Sequence, residues 1–141
     1  MNYHFQINTE TKGFWSECCE LKGCVTEAET VEHLKEACKE ALSLYLEEPN
    51  DSKMVFSLPD SSLDANKDLL KIAVEPEIAL AVLLRFYRSN SKMTQKQVSE
   101  LLGMKNVYSY QRLEKKSNPT LTIIKKIHNI FPDIKLEFIF Q

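Results

Sequence analysis

Glycine and proline are scarce in this chain of 141 residues, at 3 and 5. So little of either excludes a low-complexity or linker-like chain. Long apolar runs are missing too. The longest, IALAVLL at residues 78–84, falls far short of the roughly 20 residues that span a bilayer. The opening MNYHFQINTE lacks the basic region and apolar core of a signal peptide, so a cytoplasmic protein is expected. Cysteine pairs at metal or redox spacing are also lacking. Cys18, Cys19, Cys24 and Cys38 form no C-x-x-C, and no histidine stands at zinc-finger distance from them. They read as small apolar fillers in a reducing compartment.

Charge is present but unevenly spread. Residues 1–75 carry 7 Lys/Arg against 15 Asp/Glu, a net of -8, whereas residues 76–141 carry 11 against 5, a net of +6. The overall net charge of -2 therefore conceals a basic half, and a modular protein with two kinds of partner is expected.

Periodicity suggests a different architecture for each half. YHFQIN alternates Tyr3, Phe5 and Ile7 with polar residues, the period of a half-buried strand. A turn ending at Gly13, a second strand in FWSECCEL and a short third in CVTE follow. Thr30 is placed to cap a helix that buries Val31, Leu34, Cys38, Ala41, Leu42 and Tyr45 and ends at Pro49 and Asn50. KMVFSLP is a short extended candidate, DSSLDANKD a polar loop, and LLKIAVE a strand returning to the sheet. Residues 1–75 are thus read as a compact α+β unit.

Pro76 stands at a helix N1 position and opens an all-α unit, residues 76–141. Its first helix, EIALAVLLRFYRS, is apolar around most of its circumference and should be central. Thr94 and Gln97 have capping-box spacing, and Gly103 suits a helix C-cap after an inward Val98, Leu101 and Leu102. A second short helix is expected from about Asn106 to Lys115, with Tyr110 and Leu113 inside. A third begins at Asn118-Pro119, buries Leu121, Ile124 and Ile127, and ends at Pro132. The tail IKLEFIF alternates as a strand and needs an edge to pair with. Folding back on its own chain is one solution. Pairing with a second copy, to give a homodimer or higher homo-oligomer, is the one expected.

Two short helices joined by a glycine-containing turn within a helical bundle make a helix-turn-helix, here residues 94–116. Its second helix would enter the major groove of double-stranded operator DNA. Gln95 would donate to a phosphate. Asn106, Val107, Tyr108, Ser109, Gln111 and Arg112 form the outward recognition face, and Lys115 and Lys116 would reach flanking phosphates. The bland alternative is a helical hairpin with a solvated basic face. TQKQVSELLGM followed by RLEKKSNPTL resembles the Xre/Cro family of helix-turn-helix repressors.

The acidic half is similar to the HicB antitoxin family. The likeness lies in Gly13, Phe14-Trp15, Leu21-x-Gly23-Cys24, Thr26 and Thr30, then Ala37, Glu40-Ala41-Leu42 and Tyr45-Leu46. This resemblance implies a small ribonuclease-H-like sheet-and-helix domain without catalysis. It also implies a HicA-type toxin, a small basic ribonuclease, as partner. An acidic domain would attract such a surface, although any single glutamate can simply be solvated. Phe14 and Trp15 are candidate contacts, with at least one of them expected in the core. Ribonuclease-H chemistry needs carboxylates converging on metal ions, and Glu10, Glu17 and Glu20 do not make that cluster. His4, His33 and His128 are scattered and no phosphate-cradling glycine loop exists. No enzyme, cofactor or metal is expected. The sequence reads as an antitoxin that represses its own operon; the alternative is a solitary helix-turn-helix regulator whose N-terminal domain senses another protein or a ligand.

Overall fold

The computed structural model describes residues 1–47, 53–116 and 118–141. It is a mixed α+β protein with a four-stranded antiparallel sheet and five α-helices among the described residues. The expected helix end at Pro49 and Asn50 lies outside them.

Strands β1 (Asn2–Glu10) and β2 (Gly13–Cys18) form the expected hairpin, in register from Glu10 opposite Gly13 to Phe5 opposite Cys18. β3 (Val25–Ala28) adds to β2, and β4 (Leu70–Ala73) returns to the free side of β1, giving the order β3-β2-β1-β4. Gly13 is required here: its φ is +144°, and a Cβ would sit 2.6 Å from the carbonyl oxygen of Ala28 on the edge strand. Alternation sends Tyr3, Phe5, Cys18, Leu70 and Ile72 to the buried face. Helix α1 (Val31–Glu47) covers that face with Leu34, Cys38, Leu42 and Leu46, each one turn from the last. The Thr30 hydroxyl accepts from the His33 amide at 3.2 Å and opens the helix as expected.

Residues 53–59, expected to be extended, belong to no strand. This segment packs by its side chains instead. Phe56 is buried with its ring 5.5 Å from that of Tyr45, and the Tyr3 hydroxyl donates to the Ser57 carbonyl at 2.8 Å.

Helix α2 (Pro76–Asn90) buries residues on nearly every side, as an apolar circumference requires. Around it stand α3 (Gln95–Leu101), α4 (Val107–Leu113) and α5 (Leu121–Ile130). Thr94 and Gln97 form the capping box, with bonds of 3.1 and 2.8 Å. Gly103, at φ +72°, turns the chain out of α3.

Three expectations are corrected. Leu101 is 59% exposed because α3 is only two turns long and its buried stripe runs through Val98 and Leu102. α5 is capped by Thr120 rather than begun at Asn118-Pro119. Leu121 in its first turn is 84% exposed, Ile124 is partly buried, and Ile127 alone is fully buried. The tail is not a strand: Leu136–Phe140 is a 3-10 turn packed against α2. The outer strands β3 and β4 each keep an unpaired side, and the tail pairs with neither. The tail instead puts Leu136, Phe138 and Ile139 partly into the core by curling.

The buried core is one connected cluster drawing on both sides of residue 75. No helix among the described residues is long and apolar enough to cross a membrane.

Candidate nucleic-acid interface

The packing of α3 on α4 is organised by one buried carboxylate. Glu114, 1% exposed, follows α4 and turns inward under it. Arg88 of α2 pairs with both of its oxygens, the Nη2 bond measuring 3.2 Å. The Tyr110 hydroxyl donates to it at 2.9 Å and Gln95 Nε2 at 2.7 Å. Arg85 Nε donates to its backbone carbonyl at 2.9 Å, and Arg88 Nη1 reaches the carbonyl of Met93 at 3.1 Å. Burial opposes the charged guanidinium, but the bonds and charge of Glu114 outweigh it and hold the Arg88 pKa above its ordinary value. Helices α2, α3 and α4 are thus joined at a single ion.

This network decides what the expected site residues do. Gln95 does not stand free for a phosphate. Its amide nitrogen is given to Glu114, and its oxygen accepts from Gln111 Nε2 at 3.1 Å. Gln111 is therefore held by Gln95 across the two helices. Asn106 is the α4 N-cap, accepting from the Ser109 amide at 3.1 Å, and Val107 and Ser109 are half-buried. Tyr108 is 69% exposed. Arg112 is exposed, with its Nη2 3.5 Å from Ser109 Oγ. Asn106, Tyr108, Gln111, Arg112 and Lys115 line one shallow concavity of about 430 Å³. The two flanking lysines diverge. Lys115 is exposed, while Lys116 pairs with Glu47 at the end of α1, 3.2 Å away.

Sequence reasoning missed Arg85, Arg88 and Glu114. A signal was present: two arginines three residues apart on an otherwise apolar helix must be matched by buried acceptors. It also missed a second charged cluster, on the sheet. His4, expected on the polar side of β1, is 2% exposed. Its Nδ1 lies 2.5 Å from Glu20 Oε1 and its Nε2 2.9 Å from Asp64 Oδ1. Lys71 joins Asp64 at 3.0 Å, and the Cys18 thiol donates to Glu20 at 3.4 Å. Burial disfavours the imidazolium, yet Glu20 and Asp64 together hold the His4 pKa above its ordinary value. Among the described residues no group of His, Cys, Asp and Glu is arranged to hold a metal ion.

No protein-family model matches this chain, and no curated protein shows significant similarity to it.

Proposed function

We propose that this chain is an antitoxin of a type II toxin–antitoxin system. In this reading it binds and neutralises a HicA-type ribonuclease toxin and represses its own operon by binding operator DNA through residues 94–116. The observation that carries the DNA-binding part is the Glu114 network. It fixes two short helices against each other and leaves Tyr108, Gln111, Arg112 and Lys115 around one surface concavity. An arginine can pair bidentately with guanine and a glutamine with adenine, and pre-positioning by Gln95 lowers the entropy cost for Gln111. The net of +6 over residues 76–141 supplies attraction to phosphate. The net of -8 over residues 1–75 and the resemblance of that half to HicB support the toxin-binding part.

A homodimer is part of the same proposal, since two copies would present two recognition helices to a palindromic site. An exposed apolar groove beside α5, with Leu121 and Phe140 at its rim, suits a second copy. Leu121→Asp should leave a monomer by light scattering if that groove is used.

The test has two arms. Growth is followed with a small basic reading frame from beside this gene expressed alone and together with this chain. Arrest by the neighbour and rescue through a stable complex support the antitoxin reading; a harmless or unbound neighbour removes it and leaves a solitary regulator. In the second arm, binding to DNA from upstream of the gene is measured by fluorescence anisotropy. Arg112→Ala should cost about 1–3 kcal/mol and relax specificity, and Lys115→Ala should lower the salt slope by about 1. Equal affinity for upstream and unrelated DNA would sink the repressor reading.

A further inference from the structure

One face of the sheet is covered by α1; the other carries the chain's only tryptophan. Trp15 pairs with Asn8 on β1 and with Glu27 on β3, so these three side chains share the face away from α1. Val25 and Glu17, directly opposite one another, stand beside them. Trp15 is 37% and Val25 49% exposed. Glu10, Trp15, Val25, Thr26 and Glu27 line a concavity of about 430 Å³. Neither Glu10, Glu17 nor Glu27 forms an ion pair among the described residues. Lys12 and Lys22 sit in the turns at the strand ends. Beside the tryptophan, the Asn8 amide nitrogen is buried without an acceptor, the one such side-chain atom among the described residues.

We infer that this face docks the cationic surface of a basic protein, with an arginine or lysine side chain laid against the Trp15 indole. The inference rests on the antitoxin reading and names the surface that reading leaves unassigned. An indole face attracts a cation, and three carboxylates without counter-ions give this face a negative potential that favours one. The same carboxylates repel a polyanion, which directs nucleic acid to the other half of the molecule. A large aromatic ringed by charged residues is also the common form of a binding hot spot.

Because Trp15 is the sole tryptophan, its emission reports this face alone. The full chain is titrated with a short arginine-rich peptide. Two triple variants each remove three charges: Glu10→Gln, Glu17→Gln and Glu27→Gln on the sheet, and Glu32→Gln, Glu36→Gln and Glu40→Gln on the outer side of α1. The expected result is a shift of Trp15 emission, a loss of affinity of about tenfold for the sheet variant and less than about threefold for the helix variant. Trp15→Phe, followed by calorimetry, should lose about fivefold. Equal losses from both triple variants, or unchanged emission at saturation, would overturn the inference. Where the basic neighbour described above does arrest growth, Trp15→Ala with the sheet variant should abolish rescue, and undiminished rescue would refute it. Failure of the unaltered chain to rescue counts against the antitoxin reading, while the peptide titration still decides the docking face.

Discussion

The helical half and the sheet half each bury one charged cluster, and the two are built to opposite ends. Glu114 is met by an arginine that stays charged at every physiological pH, so its network joins α2, α3 and α4 permanently. His4 is met by two carboxylates, and its charge is the variable. The first cluster locks a geometry. The second makes the join between β1, the bend at Glu20 and the turn at Asp64 depend on a proton. A guanidinium and an imidazolium in similar burial thus yield a fixed junction in one half and a titratable one in the other.

The sharpest way to break this comparison is Glu114→Ala. It strands Arg88 in the core and should cost about 3–5 kcal/mol by urea unfolding, whereas Arg88→Met combined with Glu114→Leu should recover most of that loss. A cost below about 1 kcal/mol would show that the network does not hold the helices. His4→Gln should cost less, about 2 kcal/mol, since it removes charge-assisted hydrogen bonds while an amide keeps part of the bonding.

The pH dependence then separates the two clusters. The folded His4 pKa lies above its unfolded value of about 6.5, so the folded state holds its proton more tightly. That stabilisation is complete below about pH 6.5 and is lost as pH rises through the folded value. Unfolding free energy should therefore fall across that window in the parent chain and stay flatter in His4→Gln. The same slope in both would remove His4 as the titrating group.

Smaller still is Lys116→Ala, which opens the exposed pair with Glu47 between the two halves and should cost about 0.5 kcal/mol or less. The thiols give a last check without a stability change. Cys18, Cys24 and Cys38 are buried, and burial pushes Cys24 up to about 11. Exposed Cys19 alone should react with iodoacetamide in the native protein, as read by mass spectrometry, and slowly, because partial burial and the nearby Glu20 raise its pKa as well. Rapid modification of a second cysteine would show the sheet half opening locally.

What was legible in the sequence is local. The alternation through Phe5 and Ile7, the cap at Thr30, Pro76 at a helix start and the Thr94–Gln97 box each act within a few residues, and each appears where expected. What was hidden depends on distant partners. Polar His4 is buried only because Glu20 and Asp64, 16 and 60 residues away, come to its two nitrogens. Gln95 looks like a free surface donor until Glu114 and Gln111 claim both ends of its amide. The tail has a strand's alternation, yet it pairs with neither outer strand and curls against α2 instead, where its apolar residues find a surface. At the candidate interface, the exposure of Tyr108 and Arg112 is legible from spacing alone, whereas the ion that positions their helix is not.

The strand order also has a consequence in time. β1 is made first yet lies inside the sheet, and its neighbour β4 spans Leu70–Ala73. During synthesis the hairpin and α1 can form early, while the side of β1 from Asn2 to Phe5 waits for a strand emerging more than sixty residues later. Until then the nascent chain presents an open edge beside Tyr3 and Phe5, the kind of edge that neighbouring chains capture. A pause in translation before β4 has left the ribosome would lengthen that exposure, and one after it has emerged would not.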